Sequence, residues 1–75
     1  MSKTLEELGY EKDIDCCNLV RYKRSRKEMD TYIRFDEDER TFDGNDVLYN
    51  QSYPKEFTME ELKAIYKWCE DNKWK

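Results

Sequence analysis

The sequence contains no histidine, and the side chains that gather into clusters able to do chemistry are carboxylates, basic groups and thiols. Arg21, Lys23, Arg24, Arg26 and Lys27 crowd into seven positions with Tyr22 among them, and form a candidate basic binding patch. A β-ribbon tip carrying that charge could follow a phosphate backbone. The alternative is a solvated turn whose charge discourages edge pairing. Asp36, Glu37, Asp38, Glu39, Asp43 and Asp46 form the opposite cluster, a candidate acidic patch. Its spacing is not that of an EF-hand, which needs an acid or amide where Arg40 stands and glycine where Thr41 stands. Such an acidic surface could instead imitate a phosphate array and occupy a basic groove on another protein, or serve only to keep the chain soluble.

Cys16, Cys17 and Cys69 are odd in number, and the adjacent pair suits neither an ordinary disulfide nor a zinc knuckle. Reduced thiols are the expectation, with Cys69 and one of the pair in the core and no metal or other cofactor. No Gly-rich phosphate loop and no nucleophile with a recognisable base is present, so the chain is not expected to be an enzyme. Trp68 and Trp74 fall at the flank and beyond the end of the main helix stripe. They are candidate interface residues, with core packing of Trp68 as the competing reading.

The elements that must position these groups begin with Phe57–Trp74, the one stretch with a complete helix signal. Thr58 and Glu61 make a capping box, and Phe57 and Leu62 occupy the two staple positions. Leu62, Ile65, Tyr66 and Cys69 recur at helical spacing with Met59 at the edge, which predicts the buried stripe. Glu60, Lys67 and Asp71 fall on the water side. Thr4 with Glu7 repeats the capping-box spacing, and Gly9 is placed to stop the turn, so a short N-terminal helix is expected, with Tyr10 laid against Leu5.

Between the two, residues 11 to 17 carry no period and read as a connector. Asn18–Arg24 alternates with Val20 and Tyr22 toward the core, and Met29–Asp36 places Met29, Ile33 and Phe35 on one face. These two runs predict a hairpin. Asp36–Glu39 predicts a second turn, after which Phe42 becomes a cross-strand neighbour of Phe35. Asp43-Gly44-Asn45-Asp46 has the strongest turn signature, with Val47–Tyr49 as a short fourth strand, and Pro54 argues against a central strand near the helix. The expected fold is α+β: a short N-terminal helix, a three- to four-stranded antiparallel meander and a C-terminal α-helix packed on one sheet face.

Seventy-five residues make a single domain, residues 1–75, near the lower size limit for a core without metal or disulfide support. With 43% charged residues the composition drifts toward disorder, but six Tyr, three Phe and two Trp against one Pro and two Gly argue for a folded chain. The formal net charge of −4 argues against nucleic-acid or anionic-membrane binding by the whole surface. No run approaches the roughly 20 apolar residues of a membrane span, and the start leads into charged sequence rather than an apolar signal core. A cytoplasmic location is expected.

Leu5-Glu6-Glu7-Leu8-Gly9-Tyr10 and Thr58-Met59-Glu60-Glu61-Leu62-Lys63-Ala64-Ile65 together resemble small uncharacterised proteins of phages and prophages of Gram-positive bacteria. In these a leading E-E-L-G-Y-like segment, a charged β-meander and a closing T-x-E-E-L-K-A-I-like helix recur. The Cys16-Cys17 pair is no part of that pattern. The resemblance implies a binding protein in a bacterial host cell, acting on an unidentified host or phage protein. The expected function is a non-enzymatic protein–protein interaction module. The alternatives are an acidic DNA mimic that inhibits a defence nuclease, as anti-CRISPR proteins do, and nucleic-acid binding through the basic hairpin Arg21–Lys27. A homodimer through the helix flank at Trp68 or the meander's edge is a further expectation.

Overall fold

Apolar–polar alternation builds the centre of the sheet in the two runs where the sequence shows it most plainly, β2 (Leu19–Ser25) and β3 (Met29–Asp36). They pair antiparallel with Val20 opposite Phe35 and Tyr22 opposite Ile33, and all four side chains are buried on one face. The computed structural model describes residues 3–16 and 18–74. Around the central pair lie β1 (Glu11–Asp15), β4 (Thr41–Leu48) and β5 (Gln51–Pro54), and the chain closes with the helix α1 (Met59–Asp71). The sheet order β1-β2-β3-β4-β5 is the chain order and every pairing is antiparallel. The fold is α+β, as expected, with five strands rather than three or four.

Three corrections explain the difference. Residues 11–15 form an edge strand and not a connector. With water on most sides, four of its five residues are exposed, so no alternation marks it, and a bulge between Lys12 and Ile14 breaks the remaining period. Asp43-Gly44-Asn45-Asp46 runs straight through the middle of β4. Both carboxylates find partners across the sheet, Asp43 with Arg34 at 2.7 Å and Asp46 with the Thr31 hydroxyl at 2.8 Å. Gly44 makes room for the Phe57 ring, whose Cζ would lie 2.8 Å from an added Cβ. The turn falls instead at Tyr49-Asn50, both left-handed (φ 51° and 65°), the two-residue hairpin geometry that matches strand twist. Residues 47 and 48 therefore end β4, Tyr49 is a turn residue, and β5 supplies a fifth strand.

The third correction is at the start of the chain, where the described residues form no N-terminal helix. The Thr4 and Glu7 side chains exchange hydrogen bonds with each other's backbone N–H at 3.1 and 2.9 Å. Three residues later the ending is already complete, with Tyr10 N–H donating to Leu5 O and Gly9 N–H to Glu6 O at 3.0 Å each. Gly9 takes φ 98°. Start and stop motifs are both made, but they enclose a single turn. That turn buries Leu5 and Tyr10, closing one end of the core.

Helix α1 has its predicted cap. Thr58 Oγ1 accepts from Glu61 N–H at 3.1 Å and Glu61 Oε1 accepts from Thr58 N–H at 2.9 Å. The C-terminus ends in a Schellman motif, with Trp74 N–H to Cys69 O at 2.8 Å and Lys73 N–H to Glu70 O at 3.0 Å. The buried face differs from the expected stripe. Glu61, Ala64 and Ile65 are buried and Trp68 packs on the core, whereas Leu62, Tyr66 and Met59 are exposed. The helix is turned by about one residue position, roughly 100°. Two contacts account for the rotation. The Trp68 indole stacks on Phe35 with centroids 3.8 Å apart and donates to the Tyr22 hydroxyl at 3.2 Å, and Glu61 is drawn inward by a buried cation.

Candidate functional site

Rotation of α1 leaves an apolar stripe facing away from the core. Met59, Leu62 and Tyr66 lie at helical spacing and keep 67%, 38% and 66% of their surface exposed. Phe42, at the start of β4, adds a ring that is 39% exposed. A groove of about 770 Å³ runs between this part of β4 and the end of the helix, with Phe42, Tyr66, Cys69 and Trp74 contributing its apolar lining. Burial raises the Cys69 thiol pKa, which keeps the thiol protonated. Arg40, Lys73 and Glu70 supply the groove's charge.

Arg40 and Lys73 share an unusual backbone. Both are left-handed, at φ 56° and 62°, where a glycine would carry less steric strain. Among the described residues neither side chain makes an ion pair or hydrogen bond, and Lys63, further along the helix's outer side, makes none either. Three free cations thus border an apolar surface on a chain whose net charge is −4.

A second cluster is internal. Glu61 is buried, and its Oε2 accepts from the Tyr10 hydroxyl at 2.5 Å and pairs with Lys55 Nζ at 3.0 Å, the Lys55 side chain being only 7% exposed. Arg24 reaches the same oxygen at 3.8 Å, lies over the Tyr10 ring at 4.7 Å and donates to Leu8 O at 3.2 Å. Burial pushes the Glu61 carboxyl up. The hydrogen bonds from Thr58, Tyr10 and Lys55, together with the Lys55 charge, outweigh it and take the pKa from its ordinary 4.5 to about 2. Tyr10 is pushed well above its ordinary value by burial first and then by its bond to Glu61. The cluster joins the first turn, β2 and the helix start, and among the described residues Arg24 Nε is its one buried nitrogen without a hydrogen-bond partner. Sequence reasoning assigned Glu61 only to the cap, because the partner of its second oxygen lies 51 positions away at Tyr10.

The two charge clusters of the sequence are each divided. Arg21 and Lys23 lie on the sheet face away from the helix, beside Tyr32, and Arg21 is paired with Asp13. Arg24 enters the core side, while Arg26 and Lys27 both sit at the exposed hairpin turn, where Arg26 donates to Thr31 Oγ1 at 3.0 Å. The acidic residues separate in the same way. Asp36 caps its own turn by accepting from Asp38 and Glu39 N–H, leaving Glu37, Asp38 and Glu39 around that turn, while Asp43 and Asp46 are held by Arg34 and Thr31 in β4. Trp68 and Trp74 pack edge to face with centroids 5.1 Å apart, and both contact Phe35. The inner part of each ring therefore belongs to the core, and Trp74 also lines the groove.

Cys16 is an exposed free thiol and Cys69 is half-buried, while Cys17 lies outside the described residues. Among the described residues no group of three or more Cys, Asp or Glu is placed to hold a metal ion, and no helix is long and apolar enough to cross a membrane. Comparison with known proteins gave no match: no family model, no curated protein and no solved structure matches the chain.

Proposed function

We propose that this chain is a non-enzymatic interaction module that docks a different protein against the outward stripe of α1, in the manner of small phage and prophage proteins that act on a host factor. The observation that carries the reading is the exposure of Met59, Leu62 and Tyr66 on one side of a well-capped helix. An amphipathic helix in so small a domain normally turns its apolar residues inward. Here the core takes Glu61, Ala64, Ile65 and Trp68 and leaves a second apolar face in water, the usual mark of a surface that meets a partner. The free cations Arg40, Lys63 and Lys73 make an acid-bearing partner the complementary one.

A second copy of the chain suits this surface less well. An antiparallel pairing that sets Leu62 against Tyr66 across a two-fold axis also brings the two Lys63 side chains together. The basic-hairpin and acidic-mimic readings gain less support, since both clusters are split between faces and Arg21, Arg26, Asp43 and Asp46 are each bonded within the sheet.

The test compares the wild-type chain with a Leu62→Lys, Tyr66→Lys variant, each expressed with a tag in the host cell. Both positions are already exposed, so the variant should keep the wild-type circular dichroism and melting profile. The reading predicts a partner recovered in stoichiometric amount by the wild type and lost by the variant. Equal recovery by both chains, or self-association as the only interaction disrupted, would contradict it.

A further inference from the structure

We infer that the groove beside the stripe is a receptor for the end of a polypeptide, holding an apolar C-terminal side chain against Phe42, Tyr66 and Trp74 and the free carboxylate between Arg40 and Lys73. The inference rests on the proposed docking reading and narrows it to one kind of ligand.

Three observations converge on that ligand. The groove's volume, about 770 Å³, is in the range of sites that enclose a small ligand or a few residues of peptide. Its apolar lining comes from three rings and the protonated thiol of Cys69, which suits an aliphatic or aromatic side chain. Its two cations are unpaired among the described residues, and each stands at a left-handed position where glycine is the less strained residue. Both side chains line the same groove.

Charge decides between ligand classes. Glu70 shares the groove with the two cations, so the local balance is one net positive charge, which a single carboxylate neutralises. A nucleic-acid strand brings a charge on every phosphate and would meet both Glu70 and the net charge of −4. At a peptide C-terminus the carboxylate and the last side chain leave the same Cα, which matches a groove whose cations adjoin its rings. An internal acidic residue carries its carboxylate on a separate side chain and cannot offer that pair in so compact a form.

The probe is N-acetyl-Ala-Leu-Phe with a free carboxylate, titrated into the full chain and followed by the Trp74 indole and Cys69 amide signals in nuclear magnetic resonance. Saturable shifts at both are expected, with binding at least tenfold weaker for the same peptide as its C-terminal amide and for a peptide amide with an internal Glu. Arg40→Gly and Lys73→Gly should each weaken the free acid severalfold while raising the melting temperature, since glycine relieves the left-handed backbone. A merely structural role for the two cations would not separate affinity from stability in this way. Equal binding of acid and amide, unchanged affinity in both glycine variants, or saturation of the groove by a single-stranded oligonucleotide alone would overturn the inference. If the peptide fails to bind while Leu62 and Tyr66 still govern partner recovery, the carboxylate receptor is refuted and the broader docking reading stands.

Discussion

Lys73 and Glu61 show how single residues set this molecule's stability and its acid response. Lys73 sits at the left-handed position of a Schellman motif with its backbone bonds already made. Lys73→Gly keeps those bonds and removes the strain on Cβ, so we expect a gain of about 0.5–1 kcal/mol in urea denaturation. Glu61→Gln should act in the opposite sense. Its side-chain oxygen can still accept from Thr58 N–H, but the buried Lys55 loses its counter-charge, a change that typically costs about 3–5 kcal/mol. For a domain of this size that approaches the whole stability, so low-temperature melting curves are the appropriate measure. The pH dependence follows from the sign of the Glu61 shift. Its folded pKa of about 2 lies below its ordinary 4.5, so its stabilisation is complete above about pH 4.5 and is lost as pH falls toward about 2. Stability measured across that interval should fall steeply in the wild type and less steeply in the Gln variant.

At the scale of elements, Gly44 links the sheet to the helix entry. Phe57, the residue before the Thr58 cap, covers Gly44 and meets Phe42 edge to face at 5.6 Å. Gly44→Ala forces the ring to move and also brings a Cβ to 3.1 Å from Tyr32 O, so a loss of about 1–3 kcal/mol is expected. Adding Phe57→Leu should recover part of that loss, a non-additivity that a double-mutant cycle measures directly. The same region shows what could be read from sequence and what could not. Val20, Tyr22, Ile33 and Phe35 alternate because one sheet face is buried, and the caps at Thr4, Gly9 and Thr58 are local chemistry. All of these are legible in the order of residues. The turn signature at Asp43–Asp46 misleads because its carboxylates are satisfied by Arg34 and Thr31, which sequence alone does not place opposite them. The turn that forms, Tyr49-Asn50, lacks the glycine that would mark it. Strand β1 is hidden for a different reason, since an edge strand with few buried side chains leaves no period to detect.

For the whole molecule, the orientation of α1 decides which surface is left for function. Periodicity identified the helix and its approximate apolar side, but the stripe 62, 65, 66, 69 and the observed face 61, 64, 65, 68 differ by one position. Choosing between them requires Phe35 beneath Trp68 and Lys55 beside Glu61, both tertiary facts. The candidate site was legible only in its parts. Helical spacing alone places Tyr66 and Leu62 in the core and Trp74 at a contact surface, and the convergence of Arg40 and Lys73 on one groove depends on two left-handed residues far apart in the chain. The opposite sheet face offers the natural control, because Tyr32 there is flanked by Arg21 and Lys23 and is not part of the stripe. The most direct measurement is therefore photo-crosslinking in living cells that express the chain, with benzoylphenylalanine in place of Tyr66 or, in a parallel chain, of Tyr32. A docking surface on the outward side of α1 predicts one dominant crosslinked protein from position 66 and none above background from position 32. Crosslinks concentrated at position 32, or the same products from both positions, would contradict it.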